Sequence, residues 1–448
     1  MVLLHLLHKL APRFSWQLSA LHVHHGISPN ADKWVDFCAD LCARHLVSLH
    51  IERVDIAPLR AHGIEAAARK LRHAAFASQP CDFVALAHHA DDQAETLLLQ
   101  LLRGAGVRGA SAMPLLSQPK QPLFGGRMAP PNFLRPLLHC SRQEILDYAE
   151  AHRLSWIEDE SNADDSYPRN FLRYRVVPLL GEKFPACRDT LARSAQHFAE
   201  ASELLDELAR MDAKDSLPLS SGERAGERVE ACDMALDVSL LQPLSQPRAK
   251  NLLRYFLHIV GAPMPQAVQL DDMLHQLCNA RQDAAVCIGY GDGGWQVRRY
   301  RGRVYVLRAP GDFDRNLVLP WQGEAELGWP ALNTRLHFDR TQASGISMEK
   351  LQRAQVTLRL RKGGETLRPH VNAAKRTLKN LLQEHHVPPW QRDRLPLLYC
   401  GEELVCVPDV AIAAEYQAAE KEIGLRLSAT DCNSYAPLVA ESDRGSTF

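Results

Sequence analysis

The segment HHADDQAE, residues 88–95, holds the densest group of side chains in this sequence that could take part in catalysis. It follows an apolar run at 83–87 that predicts a buried strand, and it opens a helical pattern. Such a turn places a positive helix end beside carboxylates, which suits a nucleotide with Mg²⁺. We therefore predict a nucleotide site in which His88 donates to phosphate or substrate, Asp92 is a metal ligand, and the catalytic carboxylates are Asp91, Asp92 and Glu95. The alternative is that Asp91 or Asp92 only caps the helix.

A second polar segment, HVHHG at 22–26, also follows a predicted strand. Ligands of α/β sheets bind beyond the carboxyl ends of the strands, so we assign His24, His25 and Gly26 to the same nucleotide site. The histidines leave a metallohydrolase alternative open, with zinc or iron held by His22, His24, His25, His88, His89 and Asp92.

Two carboxylates on a predicted helix could recognise an ammonium group. Glu144 and Asp147 lie three positions apart after Ser141, so both reach one helix surface. Glu144 has an equally good structural explanation, because Ser141 and Glu144 have the spacing of a capping box.

Basic and aromatic residues recur in two later segments. Residues 161–175, SNADDSYPRNFLRYR, suit phosphate contact and base stacking, and a solvated helix face explains them nearly as well. Near the C-terminus we predict a helix at 373–384, followed by PPWQRDR at 388–394. The basic residues of this helix and of the segment after it form a modest RNA-facing patch: Lys375, Arg376, Lys379, Arg392 and Arg394.

The elements that must position these residues follow a β, α, β order over about the first 105 residues. Helix formers at 64–77 and the apolar run at 83–87 complete the pattern of an α/β domain with a doubly wound parallel sheet. We expect a helical extension after it and two small C-terminal α+β domains. The predicted boundaries are a catalytic domain at 1–211, a linker at 212–232, a middle domain at 233–310, a connecting segment at 311–354, a C-terminal domain at 355–427 and a frayed tail at 428–448.

Composition excludes several classes of protein. The chain has 448 residues, 46% of them hydrophobic and 23% charged, which is ordinary for a globular protein. Its formal net charge of -1 excludes a general nucleic-acid coat. The 11 cysteines contain no CxxC pair, which indicates reduced thiols and a cytoplasmic location. No apolar run approaches the length of a membrane span, so we expect no membrane partner.

These motifs together resemble the tRNA(Ile)-lysidine synthetase family of the PP-loop ATP pyrophosphatase group, whose fold is Rossmann-like. The matching segments are HVHHGISPNADKW, EAAARKLR, LAHHADDQAETLLLQLLRGAG, LRPLLHCSRQEI, WIEDESNADDSYPRNFLRYRVVPLL and LLQEHHVPPWQRDRLPLLY. The resemblance implies that ATP adenylates C2 of the wobble cytidine in a CAU-anticodon isoleucine tRNA, after which free L-lysine displaces AMP to give lysidine.

The resemblance also implies roles for individual residues. Arg103 matches a catalytic arginine of the family, and Glu144 with Asp147 match an acidic pair suggested for lysine. Arg69 and Arg173 would contact tRNA or phosphate, as would the basic residues of the last domain. ATP and Mg²⁺ are the implied cofactors, and a homodimer is one possible assembly.

One family motif is missing: SGGxDS occurs nowhere in the 448 residues. Its glycines would wrap pyrophosphate, so we expect the chain as written to bind ATP poorly. Either Met1 is an internal methionine and the protein is some 20–30 residues longer, which we favour, or the chain is a truncated copy. A non-catalytic tRNA-binding protein is therefore the main alternative. A PP-loop tRNA thiolase is less compatible with the absence of CxxC.

Overall fold

The computed structural model describes residues 1–57, 64–117, 131–160, 164–214, 234–281, 284, 286–291, 294–309, 313–332 and 334–431. The chain divides into two compact units. Unit 1 comprises Met1–Gln121 and Met128–Ser216, and unit 2 comprises Pro122–Arg127 and Leu217–Phe448. The predicted linker lies outside the described residues from 215 onward, as does the predicted tail beyond 431.

Unit 1 is an α/β domain with parallel strand pairs, as predicted. Strands β1 and β2 pair in parallel, and β3 pairs in parallel with β5, whose other neighbour is the short antiparallel β4. The described strands are β1 (Ser19–His24), β2 (Ser48–Arg53), β3 (Phe83–Ala85), β4 (Leu116–Ser117) and β5 (Asn132–Leu134).

The helices of unit 1 alternate with these strands and then continue as the predicted helical extension. The described α-helices are α1 (Val2–Phe14), α2 (Ala31–Arg44), α3 (Ile64–Ala77), α4 (Ala90–Leu102), α5 (Val107–Ala110), α6 (Arg142–Ala151), α7 (Pro168–Phe171), α8 (Val177–Lys183) and α9 (Cys187–Asp212). A π-helical turn, Leu172–Val176, joins α7 to α8.

The long helix α9 fixes the position of α4. Ala195 of α9 packs against Leu97 of α4 and Ala110 of α5 in one buried cluster. Arg108 of α5 forms an ion pair with Asp206 of α9. The cluster and the ion pair together hold α4, with its acidic first turn, against α9.

Unit 2 begins with an α+β fold, as predicted for the middle domain. Strands β6 to β9 form an antiparallel sheet in the order β6-β9-β8-β7. The core beside it contains Leu252, Phe256 and Met273, all fully buried. The elements are β6 (Leu236–Asp237), α10 (Val238–Leu241), α11 (Gln246–Ile259), α12 (Ala267–Asn279), β7 (Cys287–Tyr290), β8 (Trp295–Tyr300) and β9 (Arg303–Arg308).

The rest of unit 2 contains a five-stranded sheet, β10-β14-β17-β18-β19, and a four-stranded sheet, β11-β12-β20-β13, which share a large apolar core. A two-stranded ribbon pairs β15 with β16. The elements are β10 (Val318–Pro320), β11 (Glu326–Trp329), β12 (Thr334–Gln342), β13 (Ile346–Ser347), α13 (Met348–Leu351), β14 (Val356–Arg359), β15 (Thr366–Leu367), β16 (Arg376–Thr377), α14 (Leu378–Glu384), α15 (Pro389–Arg392), β17 (Leu397–Cys400), β18 (Glu403–Val407), β19 (Ala411–Ile412) and β20 (Ile423–Asp431).

Two predictions from the sequence differ from the observed elements. The helix expected at 373–384 begins only at Leu378, because Thr377 caps it by accepting from the backbone N–H of Asn380, and Arg376–Thr377 form a strand instead. Lys375, Arg376 and Lys379 therefore do not share one helix. Strand β20 also continues beyond 427 to Asp431, where it pairs with β12 of the predicted connecting segment.

Among the described residues, no helix is long and apolar enough to cross a lipid bilayer.

Candidate active site

The first turn of α4 follows directly from the end of β3. His89 is the N-cap, and its backbone N–H donates to Asp92 Oδ2 at 3.1 Å. Asp92 is thus a helix cap, as the structural alternative predicted. Its carboxylate has further partners, so capping is not its whole environment.

Two arginines from the segment after residue 164 hold the buried acids of α4. Arg169 donates from Nε to Glu95 Oε2 and from Nη2 to Asp92 Oδ1, both at 2.9 Å. Arg173 donates from Nε to Glu95 Oε1 at 2.6 Å and from Nη2 to Glu95 Oε2 at 2.8 Å. Its Nη2 also lies 3.1 Å from Asp92 Oδ1. We call these four residues the arginine–carboxylate cluster.

Local structure explains why both arginines reach the same acids. Pro168 occupies the first turn of α7 and fixes where the helix starts. Arg169 and Arg173 are four positions apart, so their side chains leave one helix face. The second arginine lies in the π-helical turn, a local widening that is common at functional sites.

The pKa of Arg173 reflects this environment. Burial acts to lower it, but the hydrogen bonds and charges of Glu95 and Asp92 outweigh burial, and the pKa is raised overall. The arginine is therefore a permanent cation in a partly buried position.

The third carboxylate, Asp91, connects two further helices to α4. Its Oδ2 lies 3.0 Å from Nε of Arg188 at the start of α9, and its Oδ1 accepts from the backbone N–H of Arg142 at 2.9 Å. The first turn of α6 therefore lies beside Asp91. Three carboxylates face three guanidinium groups around one helix end, so their formal charges cancel.

A pocket of about 290 Å³ opens beside these groups. Its walls combine carboxylates and arginines with an exposed tyrosine and two apolar residues of α8. The lining residues are His89, Asp91, Glu95, Arg142, Arg173, Tyr174, Val177, Pro178 and Arg188. Charged groups of both signs around an open pocket suit a ligand that carries both phosphate and ammonium groups.

His88 lies at the edge of this cluster among several cations. Burial is the largest cause that lowers the pKa of His88; Asp92 raises it, Arg135, Arg169 and Arg69 lower it, and the net pKa is about 4. The imidazole is therefore neutral at pH 7 and can donate one hydrogen bond and accept another. Its Nδ1 is buried without a hydrogen-bond partner among the described residues.

The other predicted nucleotide residues lie at the carboxyl end of β1. His24 is buried, with Nε2 3.3 Å from Asp32 Oδ1. Burial lowers the pKa of His25, and Arg72 and two neighbouring histidines add to the shift. Gly26 has a φ of 65°, a backbone conformation that favours glycine. These residues form the turn that leaves the sheet, as expected for a ligand-binding edge.

Glu144 and Asp147, predicted to bind lysine, are both exposed on α6. Glu144 Oε2 accepts from the backbone N–H of Ser141 at 2.7 Å and from Ser141 Oγ at 2.8 Å, so the capping box is present. These hydrogen bonds lower the pKa of Glu144. Asp147 Oδ1 accepts from Gln143 at 2.7 Å.

Two predicted residues lie away from the cluster or at its border. Arg103 is the C-cap of α4, about 18 Å along the helix axis from Asp91. The structure therefore does not bring Arg103 to the acids, and its role stays a prediction. Arg69 is exposed on α3 and lies close enough to His88 to lower its pKa.

The predicted basic patch of unit 2 is only partly open to solvent. Lys375, Arg376 and Lys379 are exposed, and Arg376 Nη1 donates to Glu384 at 2.5 Å. The remaining members make contacts within unit 2. Arg392 Nε donates to the carbonyl of Val387 at 2.8 Å, and Arg394 Nη2 donates to the carbonyl of Leu332 at 3.2 Å.

Trp390 also packs inside unit 2. Its ring centroid lies 5.9 Å from that of Tyr300 and 5.3 Å from that of Tyr305, and the Arg298 guanidinium lies 5.4 Å from its centre. The aromatic residue of the PPWQRDR segment is therefore engaged by β8 and β9.

A metal at Asp92 does not fit the observed donors. Asp92 Oδ1 accepts from two guanidinium groups and Oδ2 from the backbone N–H of His89. Across the described part of the chain, no group of three His, Cys, Asp or Glu side chains could hold a metal ion. That finding gives the zinc or iron alternative no support, and a Mg²⁺ at Asp92 would have to displace an arginine.

Sequence reasoning missed Arg169 and Arg188 as partners of the acids. The sequence contains a pattern that could have identified Arg169 as a partner. Arg169 and Arg173 are four residues apart and Asp92 and Glu95 are three apart, so each pair lies on one face of its helix and the two pairs could face each other. Arg188 carries none, because nothing in its local sequence shows that α9 returns to the start of α4.

Comparison with known proteins supports the same assignment along the chain. Residues 1–180 match the family model described as PP-loop domain, residues 236–305 that described as TilS substrate binding domain, and residues 356–429 that described as TilS substrate C-terminal domain.

Curated relatives match almost the whole chain. The tRNA(Ile)-lysidine synthase of Nitrosomonas europaea is 40% identical over 95% of this chain and 88% of its own length. That of Aromatoleum aromaticum is 41% identical over 95% of this chain and 93% of its own length. That of Coxiella burnetii is 35% identical over 94% of this chain and 89% of its own length. The family resemblance and the PP-loop α/β fold are thereby confirmed, and the chain belongs to the tRNA(Ile)-lysidine synthase family.

Proposed function

We propose that this chain uses ATP to join free L-lysine to C2 of the wobble cytidine in an isoleucine tRNA with a CAU anticodon. Its relatives carry the name tRNA(Ile)-lysidine synthase, and a PP-loop domain implies use of ATP. The observation that carries the proposal is the arginine–carboxylate cluster beside an open pocket at the start of α4.

The reaction has two balanced steps. In the first, the C2 oxygen of cytidine bonds to the α-phosphorus of ATP and the bond to the β-phosphate breaks, which releases pyrophosphate. In the second, the ε-amine of lysine gives up a proton and bonds to C2, and the C2–O bond breaks with AMP as the leaving group. Adenylation turns a poor leaving group into a good one, and nothing is oxidised or reduced.

The arginines suit the phosphate chemistry of this reaction. A guanidinium fork binds carboxylate and phosphate with the same geometry, so Arg169 and Arg173 could exchange Asp92 and Glu95 for phosphate oxygens. The released carboxylates, together with Asp91, would then attract the lysine ammonium group or accept its proton. His24, His25 and Gly26 lie at the carboxyl end of β1, and neutral His88 follows the carboxyl end of β3; all four would contact the nucleotide.

Lysine recognition is assigned to Glu144 and Asp147. Both are exposed on α6, whose first turn is tied to Asp91 through the backbone N–H of Arg142. An ammonium group at Glu144 would compete with Ser141 for Oε2.

Partners outside the pocket complete the proposal. The exposed residues Arg69, Lys375, Arg376 and Lys379 are the tRNA contacts that we favour, with weaker roles for Arg392 and Arg394. Arg103 remains a candidate catalytic residue. Mg²⁺ enters as the counter-ion of ATP, and no step is assigned to it at Asp92. We place the reaction in the cytoplasm, where its substrates occur, and a homodimer is compatible with it.

The test is lysine incorporation into a CAU-anticodon tRNA transcript by this protein. Arg169→Met should lower kcat/KM by about 100-fold, because it removes a phosphate-binding group and leaves Arg173 alone to hold Asp92 and Glu95. Arg175→Met is the matched control, since Arg175 pairs with Asp165 at an exposed position. If the unmodified protein bound this tRNA but incorporated no lysine, the result would instead support the non-catalytic alternative.

A further inference from the structure

Arg135 is a buried cation without an acidic partner in the described part of unit 1. Its exposed fraction is 7%, and Nη1 donates to the carbonyl of Pro114 at 2.8 Å and to Ser117 Oγ at 3.1 Å. Both acceptors are neutral, and Nε is buried with no hydrogen-bond partner among the described residues. A buried charge with neutral partners only is costly unless an ion of opposite sign joins it.

The surroundings of Arg135 make this cost larger. Burial lowers the pKa of Arg135, and the charge of Arg69 lowers it further. Arg135 in turn helps to lower the pKa of His88. Two cations, Arg135 and Arg69, and the neutral imidazole of His88 therefore lie near one another, and an anion would relieve the repulsion between the two arginines.

The topology places this group at a ligand-binding edge. β3 and β5 are parallel, with Ala85 opposite Leu134, so His88 and Arg135 both follow carboxyl ends of adjacent strands. On the other side, His73 of α3 packs against Phe133 of β5 at 5.7 Å, and Arg69 lies one turn earlier on α3.

A second buried arginine has a different electrostatic setting, although its Nε also lacks a hydrogen-bond partner among the described residues. Arg299 of unit 2 is 6% exposed and donates from Nη1 to the carbonyls of Leu277 and Ala280 at 2.7 and 2.9 Å. These carbonyls belong to the C-terminal end of α12, where the helix dipole is negative. The helix dipole therefore compensates the charge of Arg299, whereas the charge that acts on Arg135 is that of another cation, Arg69.

We propose that Arg135, with Arg69 and His88 beside it, binds a phosphate group of ATP. The inference rests on the proposed function for the identity of the nucleotide. The low exposure of Arg135 favours a phosphate on a small molecule over the phosphate of a tRNA backbone.

The experiment measures the affinity of the full-length protein for ATP and for adenosine, without tRNA or lysine. Arg135→Met should weaken ATP binding by about 10- to 100-fold and leave adenosine binding within twofold, since only ATP carries phosphate. Arg299→Met is the matched control, because it removes a buried arginine of similar contacts and should not change ATP affinity.

Arg135→Lys keeps the charge but not the guanidinium fork, and it provides a milder variant if Arg135→Met does not fold. It should weaken ATP binding by about three- to tenfold. Unchanged ATP affinity in a folded Arg135 variant, equal loss of ATP and adenosine binding, or loss of tRNA affinity alone would each overturn the inference. Loss of ATP binding in Arg135→Met would support it even if no lysine were incorporated into tRNA, so its failure is separable from that of the proposed function.

Discussion

Arg173 holds Glu95 through both carboxylate oxygens, with Nε 2.6 Å from Oε1 and Nη2 2.8 Å from Oε2. The pair joins the π-helical turn to α4 at a position where the Glu95 side chain is only 4% exposed. Such a pair is costly to break from one side, because the remaining charge stays buried. The fold of unit 1 and its candidate chemistry therefore depend on the same contact.

Removal of Arg173 tests this dependence. Arg173→Met should lower the free energy of unfolding by about 1–3 kcal/mol, less than for an isolated buried pair because Arg169 still holds Glu95. Chemical denaturation of the whole protein, wild type and variant, measures this change in the free energy of unfolding. Arg175→Met, at an exposed ion pair, should cost no more than about 0.5 kcal/mol. In a double-mutant cycle with Glu95→Gln, additive effects would show that the two residues do not interact.

The lowered pKa of His88 predicts a pH dependence of stability. The imidazole is protonated near pH 6.5 in the unfolded chain but only near pH 4 in the folded one, so the unfolded state binds more protons between these values. Its contribution is thus present above pH 6.5 and is lost as the pH falls to 4. We expect a loss of about 1–2 kcal/mol, after allowance for solvent screening of a partly exposed ring.

Denaturation between pH 4 and 7 compares the native protein with His88→Gln. The variant should lose less stability over this interval, since glutamine does not titrate. Identical pH profiles would contradict the assigned environment of His88.

Variants of the two capping-box residues of α6 distinguish a structural role of Glu144 from a role in lysine binding. Ser141→Ala should lower the thermal midpoint by about 2–4 °C and leave the KM for lysine unchanged, because it removes only the cap. Glu144→Gln should raise the KM for lysine. Steady-state kinetics with varied lysine distinguish the two variants, and an equal rise of KM in both would show that the cap alone matters.

The exposed lysines before and within α14 are expected to contact tRNA. Lys375→Gln with Lys379→Gln should weaken tRNA binding and reduce the slope of log K against log salt by about 1–2. Lys421→Gln changes an exposed lysine elsewhere in unit 2 and serves as the control. Binding isotherms at several salt concentrations give the slopes, and a slope equal to that of the control would remove this surface from the interface.

Trp390 is expected to stabilise unit 2, since Tyr300, Tyr305 and Arg298 surround it. Trp390→Ala should cost about 2–3 kcal/mol, and Trp390→Phe should cost less because it keeps an aromatic ring. Denaturation of the two variants measures this. Wild-type stability of Trp390→Ala, combined with weaker tRNA binding, would contradict this and indicate that Trp390 contacts RNA.

Local patterns were enough to predict parts of the fold. Helix α3 has the predicted bounds 64–77, since a run of strong helix formers needs no distant partner. The position of α14 was wrong by five residues at its start, because the pairing of β16 with β15 competes with helix formation. Such pairing depends on residues far apart in the chain.

The same distinction applies to the candidate site. Asp91, Asp92 and Glu95 form a local motif, and the sequence alone indicated them as a group. Arg188 and Arg135 reach the site only because α9 packs on α4 and β5 lies beside β3. Long-range packing of this kind leaves no periodic signal in the sequence.

The measurement that tests the central claim most directly is the stoichiometry of the reaction. Labelled lysine, AMP and pyrophosphate are quantified after incubation of the full-length protein with ATP and a CAU-anticodon isoleucine tRNA. We predict equal amounts of tRNA-bound lysine, AMP and pyrophosphate, and none of the three with a tRNA whose wobble cytidine is replaced by uridine. Tight tRNA binding with no AMP formed and no lysine incorporated would contradict the account.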